Sequence, residues 1–176
     1  MTETTPKESA DFSRPIAVLK SCHELIRLQC DALRQLSDHL SRHGPDDEAR
    51  RTALDVVRHL DRVARLHNQD EEQDLLPRMV AASTVSRGSV LTQMVAETVA
   101  GHREMARRWA ELRASLQDLA VTQETIDPLQ VDRFVKLCRT HLAVEESNVF
   151  PLAEMLLSKH DLSDIGSSMA QRRAGG

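Results

Sequence analysis

Apolar residues recur along most of this chain at every third or fourth position, the period of an α-helix that buries one face. Ile16, Leu19, Ile26, Leu33 and Leu40 form one stripe, with His23 and Cys30 on it. Ser13 suits the cap of that helix, Pro15 its first turn, and His43-Gly44-Pro45 should end it. Asp46 or Asp47 opens a second helix, whose stripe runs Leu54, Val57, Leu60, Ala64, His67, Glu71 and Leu75. Pro77 either kinks that helix or marks where it begins to end. After a turn cluster from Ser83 to Gly88, a third helix carries Leu91, Met94, Thr98, His102, Met105, Trp109, Leu112 and Leu116 on one face. Thr122 to Pro128 breaks it. The fourth carries Val131, Phe134, Cys138, His141, Glu145 and Val149 and reaches about Ser158. A short last helix, over 163–173 and capped by Ser163, should pack across one end.

Four amphipathic helices joined by short polar turns predict an all-α fold, an antiparallel up-down-up-down four-helix bundle with a short C-terminal helix. Residues 14–158 form the bundle, 1–13 read as a disordered polar leader, and 159–176 as C-terminal helix and tail. The composition agrees: Tyr is absent and there are three Phe and one Trp, so little is offered to a sheet.

The helical stripes carry an unusual load of histidine, and one segment is written twice. His67-Asn68-Gln69-Asp70-Glu71-Glu72 and His141-Leu142-Ala143-Val144-Glu145-Glu146 share the order His, Glu four later, Glu again. A proline follows each first Glu by six residues, Pro77 and Pro151. Residues i and i+4 lie one above the other on a helix, so each copy presents an imidazole beside a carboxylate. His23 precedes the first copy and His102 the second, at nearly equal offsets, as in a duplicated helix pair. Bundle pseudo-symmetry would then collect His23, His67, Glu71, His102, His141 and Glu145 at one level.

Two ionised carboxylates buried among imidazoles need cations to neutralise them. Mixed imidazole and carboxylate donors suit iron, manganese or zinc better than calcium or magnesium, and two bridging carboxylates suit a metal pair. The expected centre holds two iron ions, with manganese or zinc also suited to the same donors. His23 and His67 would bind one ion, His102 and His141 the other, with Glu71, Glu145 and an oxo or hydroxo group bridging. An octahedral iron would keep one position for O2, peroxide or nitric oxide. Glu72 and Glu146 lie some 100° round the helix and read as solvent groups or as groups that orient a ligand histidine. On this reading Glu72→Ala should barely change metal binding. His39, His43, His59 and His160 fall off the stripe and read as surface, and Met94, Met105 and Trp109 as core.

The remaining chemistry narrows the class. A net charge of −4 argues against a nucleic-acid partner, and Arg51, Arg58, Arg62 and Arg65, interleaved with Asp55 and Asp61, read as a solvated face. Cys22, Cys30 and Cys138 form no CxxC and cannot all pair, which fits a reducing compartment; Cys30 and Cys138 read as small core hydrophobes. With no apolar leader and no apolar run of membrane length, the expectation is a cytoplasmic protein with no membrane partner.

These residues together resemble the hemerythrin-like family, bacterial cation-binding proteins built on His-His-Glu motifs. The resemblance covers nearly the whole chain, including both trailing prolines and the closing Met169-Ala170-Gln171-Arg172-Arg173. It implies a four-helix bundle with a non-haem di-iron site, in a family whose members carry O2, sense oxygen or nitric oxide, or handle peroxide. Oxygen carriers place a fifth histidine on the third helix, where this chain has Thr98 and Ala106 around His102, and end in an Asp at i+5 rather than Glu145. The chain therefore resembles the four-His, two-Glu branch rather than the carriers. The repair proteins of that branch add an N-terminal Cys-bearing domain, which thirteen polar residues are not expected to replace. Redox sensing or stress defence is the implied role, with a metal-binding sensory or interaction module lacking turnover as the alternative.

Overall fold

A computed structural model describes residues 11–83, 88–122 and 124–175. Every regular element among them is helical: α1 (Pro15–His43), α2 (Asp47–Asp70), α3 (Leu76–Ala82), α4 (Gly88–Thr122), α5 (Pro128–Val144), α6 (Phe150–Leu156) and α7 (Lys159–Ala174). π turns, Glu71–Leu75 and Glu145–Val149, join α2 to α3 and α5 to α6, so each pair forms one continuous rod. The two prolines explain the turns. Proline has no N–H, and in a regular helix its ring strikes the carbonyl four residues back. One residue before each proline the helix has already widened: the Leu76 N–H reaches the Glu71 carbonyl, and the Phe150 N–H that of Glu145. Pro77 thus neither ends its helix nor simply kinks it.

Local signals set most other boundaries. Gly44 leaves α1 at φ 72°, a left-handed conformation that an L side chain resists. Asp46 caps α2 by accepting from the Ala49 N–H at 2.8 Å, and Asp127 caps α5 by accepting from Leu129 at 2.9 Å. Two expected caps are replaced. Ser13 donates its hydroxyl to Asp11 at 2.6 Å, and the α1 cap position is Arg14, with no side-chain bond. Ser163 lies inside α7, which starts four residues earlier than expected. Ser158 and Asp161 close a capping box there, with the Asp161 N–H 3.1 Å from Ser158 Oγ and the Ser158 N–H 2.9 Å from Asp161 Oδ2.

α1 packs on α2 and α5, and α4 packs on the same two. Buried apolar residues form two clusters. One contains Ile26, Leu33, Leu60, Leu112, Phe134 and Leu142, and the other Leu19, Leu75, Leu91, Val149, Phe150 and Ile165. The expected stripes fill them, with one correction: Leu54 is 51% exposed, and Ala53 and Val56 are buried in its place. The true stripe on α2 runs through a small residue that a search for leucine overlooks.

α7 lies against α1, α2 and the first π turn. At Gly166 a Cβ would fall 1.8 Å from the Phe12 carbonyl oxygen, so only glycine admits residues 11–14 there. The described part of the expected leader, 11–13, is therefore a turn seated on the last helix, while 1–10 lie outside the described residues, as do 84–87 of the expected turn cluster. No helix among the described residues is long and apolar enough to cross a membrane.

Candidate metal centre

On each rod the polar ligand candidates lie between residues of one apolar cluster and residues of the other. His23 follows Leu19 and precedes Ile26, and His67 and Glu71 lie between Leu60 and Leu75. His102 precedes Leu112, and Glu145 falls between Leu142 and Val149. The two clusters thus enclose a single polar layer, and all six side chains predicted from the sequence meet in it. His23, Glu71 and Glu145 are wholly buried, His67 and His102 are within 2% of it, and the His141 side chain is 9% exposed.

Each histidine presents Nε2. His23 Nε2 lies 3.3 Å from His67 Nε2 and 3.3 Å from Glu145 Oε2. His67 Nε2 lies 3.7 Å from Glu71 Oε2 and 3.8 Å from Glu145 Oε2. On the other side, His102 Nε2 is 3.1 Å from Glu71 Oε2 and 3.1 Å from Glu145 Oε1, and His141 Nε2 is 2.7 Å from Glu145 Oε1. Two donor groups result. One is His23, His67, Glu71 and Glu145, the other His102, His141 and Glu145, each with its donor atoms within 4.8 Å of one another. Glu145 belongs to both, and Glu71 stands between a histidine of each.

The opposite ring nitrogens are held from outside this layer. His23 Nδ1 lies 2.8 Å from Glu146 Oε1 and His102 Nδ1 lies 2.7 Å from Glu72 Oε1. A carboxylate can only accept, so these contacts place a proton on Nδ1 and turn Nε2 toward the layer. Glu146 is fixed in turn by Arg27, whose Nη2 donates to Oε2 at 2.8 Å; this contact outweighs burial and holds the Glu146 carboxyl below its ordinary value. Glu72 and Glu146 thus contact histidines of the layer, the orienting role of the two that the sequence left open.

The layer is rich in charge that the protein alone leaves unsettled. Burial would lower the His102 pKa, but the Glu145 and Glu71 carboxylates outweigh it and push the imidazole up to about 10. Burial would likewise raise Glu145, yet four surrounding imidazoles hold it well below the usual carboxylate range. Burial pushes Glu71 up, with His67 opposing and the Glu145 charge adding to the rise. Both Glu71 oxygens and Glu145 Oε2 are buried with no hydrogen-bond partner. Such orphaned acceptors are costly in a protein interior, and a cation among them removes that cost. The donor set fits a transition metal.

Three supporting features escaped the sequence reading. A Cβ at Gly101, in the middle of α4, would lie 2.5 Å from His141 Nδ1, so this glycine makes room for the His141 ring. An isolated glycine beside His102 was the available signal. Asp70, wholly buried one residue before Glu71, is held from α7 by Arg172 Nη1 at 2.7 Å and Arg173 Nη2 at 2.6 Å. Arg172 also pairs with Asp74, which Arg78 contacts at 2.8 Å. The arginines therefore tie α7 to the π turn that presents Glu71. His39, His43, His59 and His160 lie away from the layer; His39 instead contacts Asp46 at 3.0 Å. Arg51, Arg58, Arg62 and Arg65 are exposed, as expected.

Helices converging histidines and glutamates on one buried layer define a metal-binding helical domain. The sequence profile of the hemerythrin HHE cation-binding domain matches residues 14–153, and the chain belongs to that family. It is also 28% identical over 169 residues to an uncharacterized protein of Haemophilus influenzae, covering 96% of this chain and 95% of that one.

Proposed function

We propose that this protein is a non-haem di-iron protein that binds or reacts with O2, peroxide or nitric oxide, in redox sensing or stress defence. The observation that carries the reading is the pair of donor groups sharing Glu145, with Glu71 placed between them, facing His67 and His102 and making no hydrogen bond. His23 and His67 would hold one iron, His102 and His141 the other, and Glu71 and Glu145 would bridge. Iron bound there would supply open coordination and electrons for the small ligand. The chain's own part is to hold four Nε2 atoms in place, keep Nδ1 protonated on His23 and His102, and exclude bulk water between two apolar clusters.

The same reading takes the four rods as an antiparallel up-down-up-down bundle. Support comes from the order of the clusters along the chain. α1 and α4 run from the cluster of Leu19 and Leu91 to that of Leu33 and Leu112, while α2–α3 and α5–α6 run the other way. A cytoplasmic location fits the three free cysteines, all buried.

The deciding experiment is metal analysis of freshly purified protein together with its visible spectrum. Two irons per chain with near-ultraviolet oxo-bridge absorption are expected. One ion per chain, or none after growth with ample iron, would overturn the reading. Catalytic consumption of peroxide or nitric oxide by the loaded protein would mark an enzyme, and stoichiometric binding a sensory module.

A further inference from the structure

Cys30 on α1 and Cys138 on α5 have no part in the metal layer, and the fold sets them against each other. Ion pairs fix the register of α1 on the rod that α5 begins: Arg34 meets Asp132 at 3.4 Å, Asp31 meets Arg139, and Arg27 meets Glu146 at 2.8 Å. As the number falls on α1 it rises on the other rod, and Cys30 comes level with Cys138, each one residue before the Asp31–Arg139 pair. Their thiols hydrogen-bond one another. Both belong to the apolar cluster of Leu33, Leu60 and Phe134, where Cys30 is wholly buried and Cys138 is 3% exposed. The third thiol, Cys22, stands apart, 3.8 Å from Arg173 Nη2.

A single buried cysteine packs as a small hydrophobe, but two in contact are the two halves of a disulfide. That bond needs sulfurs about 2 Å apart, which side-chain rotation supplies to thiols already in hydrogen-bond contact. An oxidant also has a way to them. Cys138 lines a cavity of about 360 Å³ whose wall carries the amides of Asn68, Gln69 and Gln73. A water molecule takes about 30 Å³ of liquid, and hydrogen peroxide, little larger, fits that space with groups to hydrogen-bond it. We propose that Cys30 and Cys138 are a redox site, a dithiol that peroxide converts to a disulfide joining α1 to α5. One sulfur attacks a peroxide oxygen: the S–O bond forms, the O–O bond breaks, and the thiol proton leaves with the departing hydroxide as water. The second sulfur attacks the resulting sulfenic acid: the S–S bond forms, the S–O bond breaks, and the second proton leaves with that hydroxide as water. Two thiols lose two electrons and peroxide gains them. No metal takes part, so the inference does not rest on the di-iron reading. Cys30 lies two helical turns from His23 and Cys138 one turn from His141, so the bond ties together two rods that carry candidate ligands.

The test treats the full chain, in chelator, with an equimolar amount of hydrogen peroxide, then denatures it and alkylates the thiols that remain. All three cysteines should take the label before treatment and Cys22 alone after it. The intact mass should fall by two hydrogens, peptide mapping should join Cys30 to Cys138, and dithiothreitol should restore all three thiols. The oxidised protein should melt about 10 °C higher, because the bond closes a long loop of the unfolded chain. Cys30→Ser, or Cys138→Ser if the first variant fails to fold, should show no loss of two hydrogens under the same treatment. Three labelled thiols after peroxide overturn the inference, as does sulfinic acid in place of the bond. A disulfide that includes Cys22 or joins two chains overturns it as well, and so does an oxidised protein that melts below the reduced one. Because the chelator removes metal, none of these outcomes bears on the di-iron reading, which the metal content of untreated protein decides.

Discussion

The Glu72 carboxylate holds His102 by its Nδ1 at 2.7 Å, although the two residues lie on different helical rods. Glu146 does the same for His23 at 2.8 Å, so the second Glu of each HxxxEE copy holds a histidine on another rod. Each HxxxEE copy therefore supplies two candidate ligands of its own and a brace for a third. Removing the brace frees the ring to rotate and removes the acceptor that fixes its tautomer. Glu72→Ala is expected to weaken metal binding about 10–100-fold, the usual effect of losing such a partner. Glu72→Gln, whose amide oxygen still accepts, should recover most of it. Competition with a chelator of known affinity measures both, and an unchanged affinity in Glu72→Ala would show the contact to be idle.

Gly101 allows a prediction in which two physical effects oppose each other. Glycine to alanine inside a helix ordinarily stabilises by about 1 kcal/mol. Here the new Cβ would fall 2.5 Å from His141 Nδ1, and the ring must move away from Glu145 to admit it. Gly101→Ala should therefore lower metal occupancy while the metal-free protein melts no lower than wild type. Metal analysis beside thermal melts in chelator reads both quantities. Full occupancy would mean that the position of the His141 ring is immaterial to the centre.

Much of this could be read from the sequence, for definable reasons. The stripes gave the helices and the doubled HxxxEE gave the side chains that the fold gathers in the buried layer, because both are patterns of residues close together on one helix. What could not be read were contacts between helices. Nothing in the spacing of Glu72 says that it reaches His102 rather than water. Nor does Asp70, in a motif crowded with acids, announce that arginines a hundred residues away will hold it. The π turns were half visible: the prolines were seen, but the widening that lets helix continue past Pro77 depends on backbone geometry. Leu54 misled because a helix stripe was assigned by residue size, and the buried position was filled by Ala53.

The arginines of α7 carry a stability prediction. Asp70 is wholly buried and has Arg172 and Arg173 as its partners. Replacing both arginines by alanine strands a buried carboxylate and should cost about 3–5 kcal/mol. Denaturant melts of wild type and the double variant give the difference. If the loss is under about 1 kcal/mol, α7 contributes little to the fold.

Acid should then erase part of that difference. Burial would raise the Asp74 carboxyl, but Arg172 and Arg78 outweigh it and hold it below its ordinary 3.8. A carboxylate with a lowered folded-state pKa stabilises the protein above its unfolded value and loses that contribution as pH falls through the folded one. The gap between wild type and Arg172→Ala should stay constant from neutral pH down to about 4 and shrink below it. A gap that opened on acidification would assign the wrong sign to the pair.

Removal of the metal tests how far the fold depends on it. The six candidate ligands lie between two apolar clusters that are complete without them, and four imidazoles face two carboxylates at 2.7–3.8 Å. Protons on the imidazoles can therefore replace the cations as partners of the carboxylates. The chain differs in this from small metal-nucleated domains, which unfold when stripped. Chelated protein is expected to keep its helical circular dichroism at 25 °C but to melt lower. Metal at a hundred times its dissociation constant adds about 2.7 kcal/mol, or about 5–10 °C in a domain of this size. Readdition should restore the melting temperature in wild type and do much less in Glu71→Ala, which lacks the carboxylate between the two donor groups. If stripped wild type lost its helices outright, the two apolar clusters would not be self-sufficient.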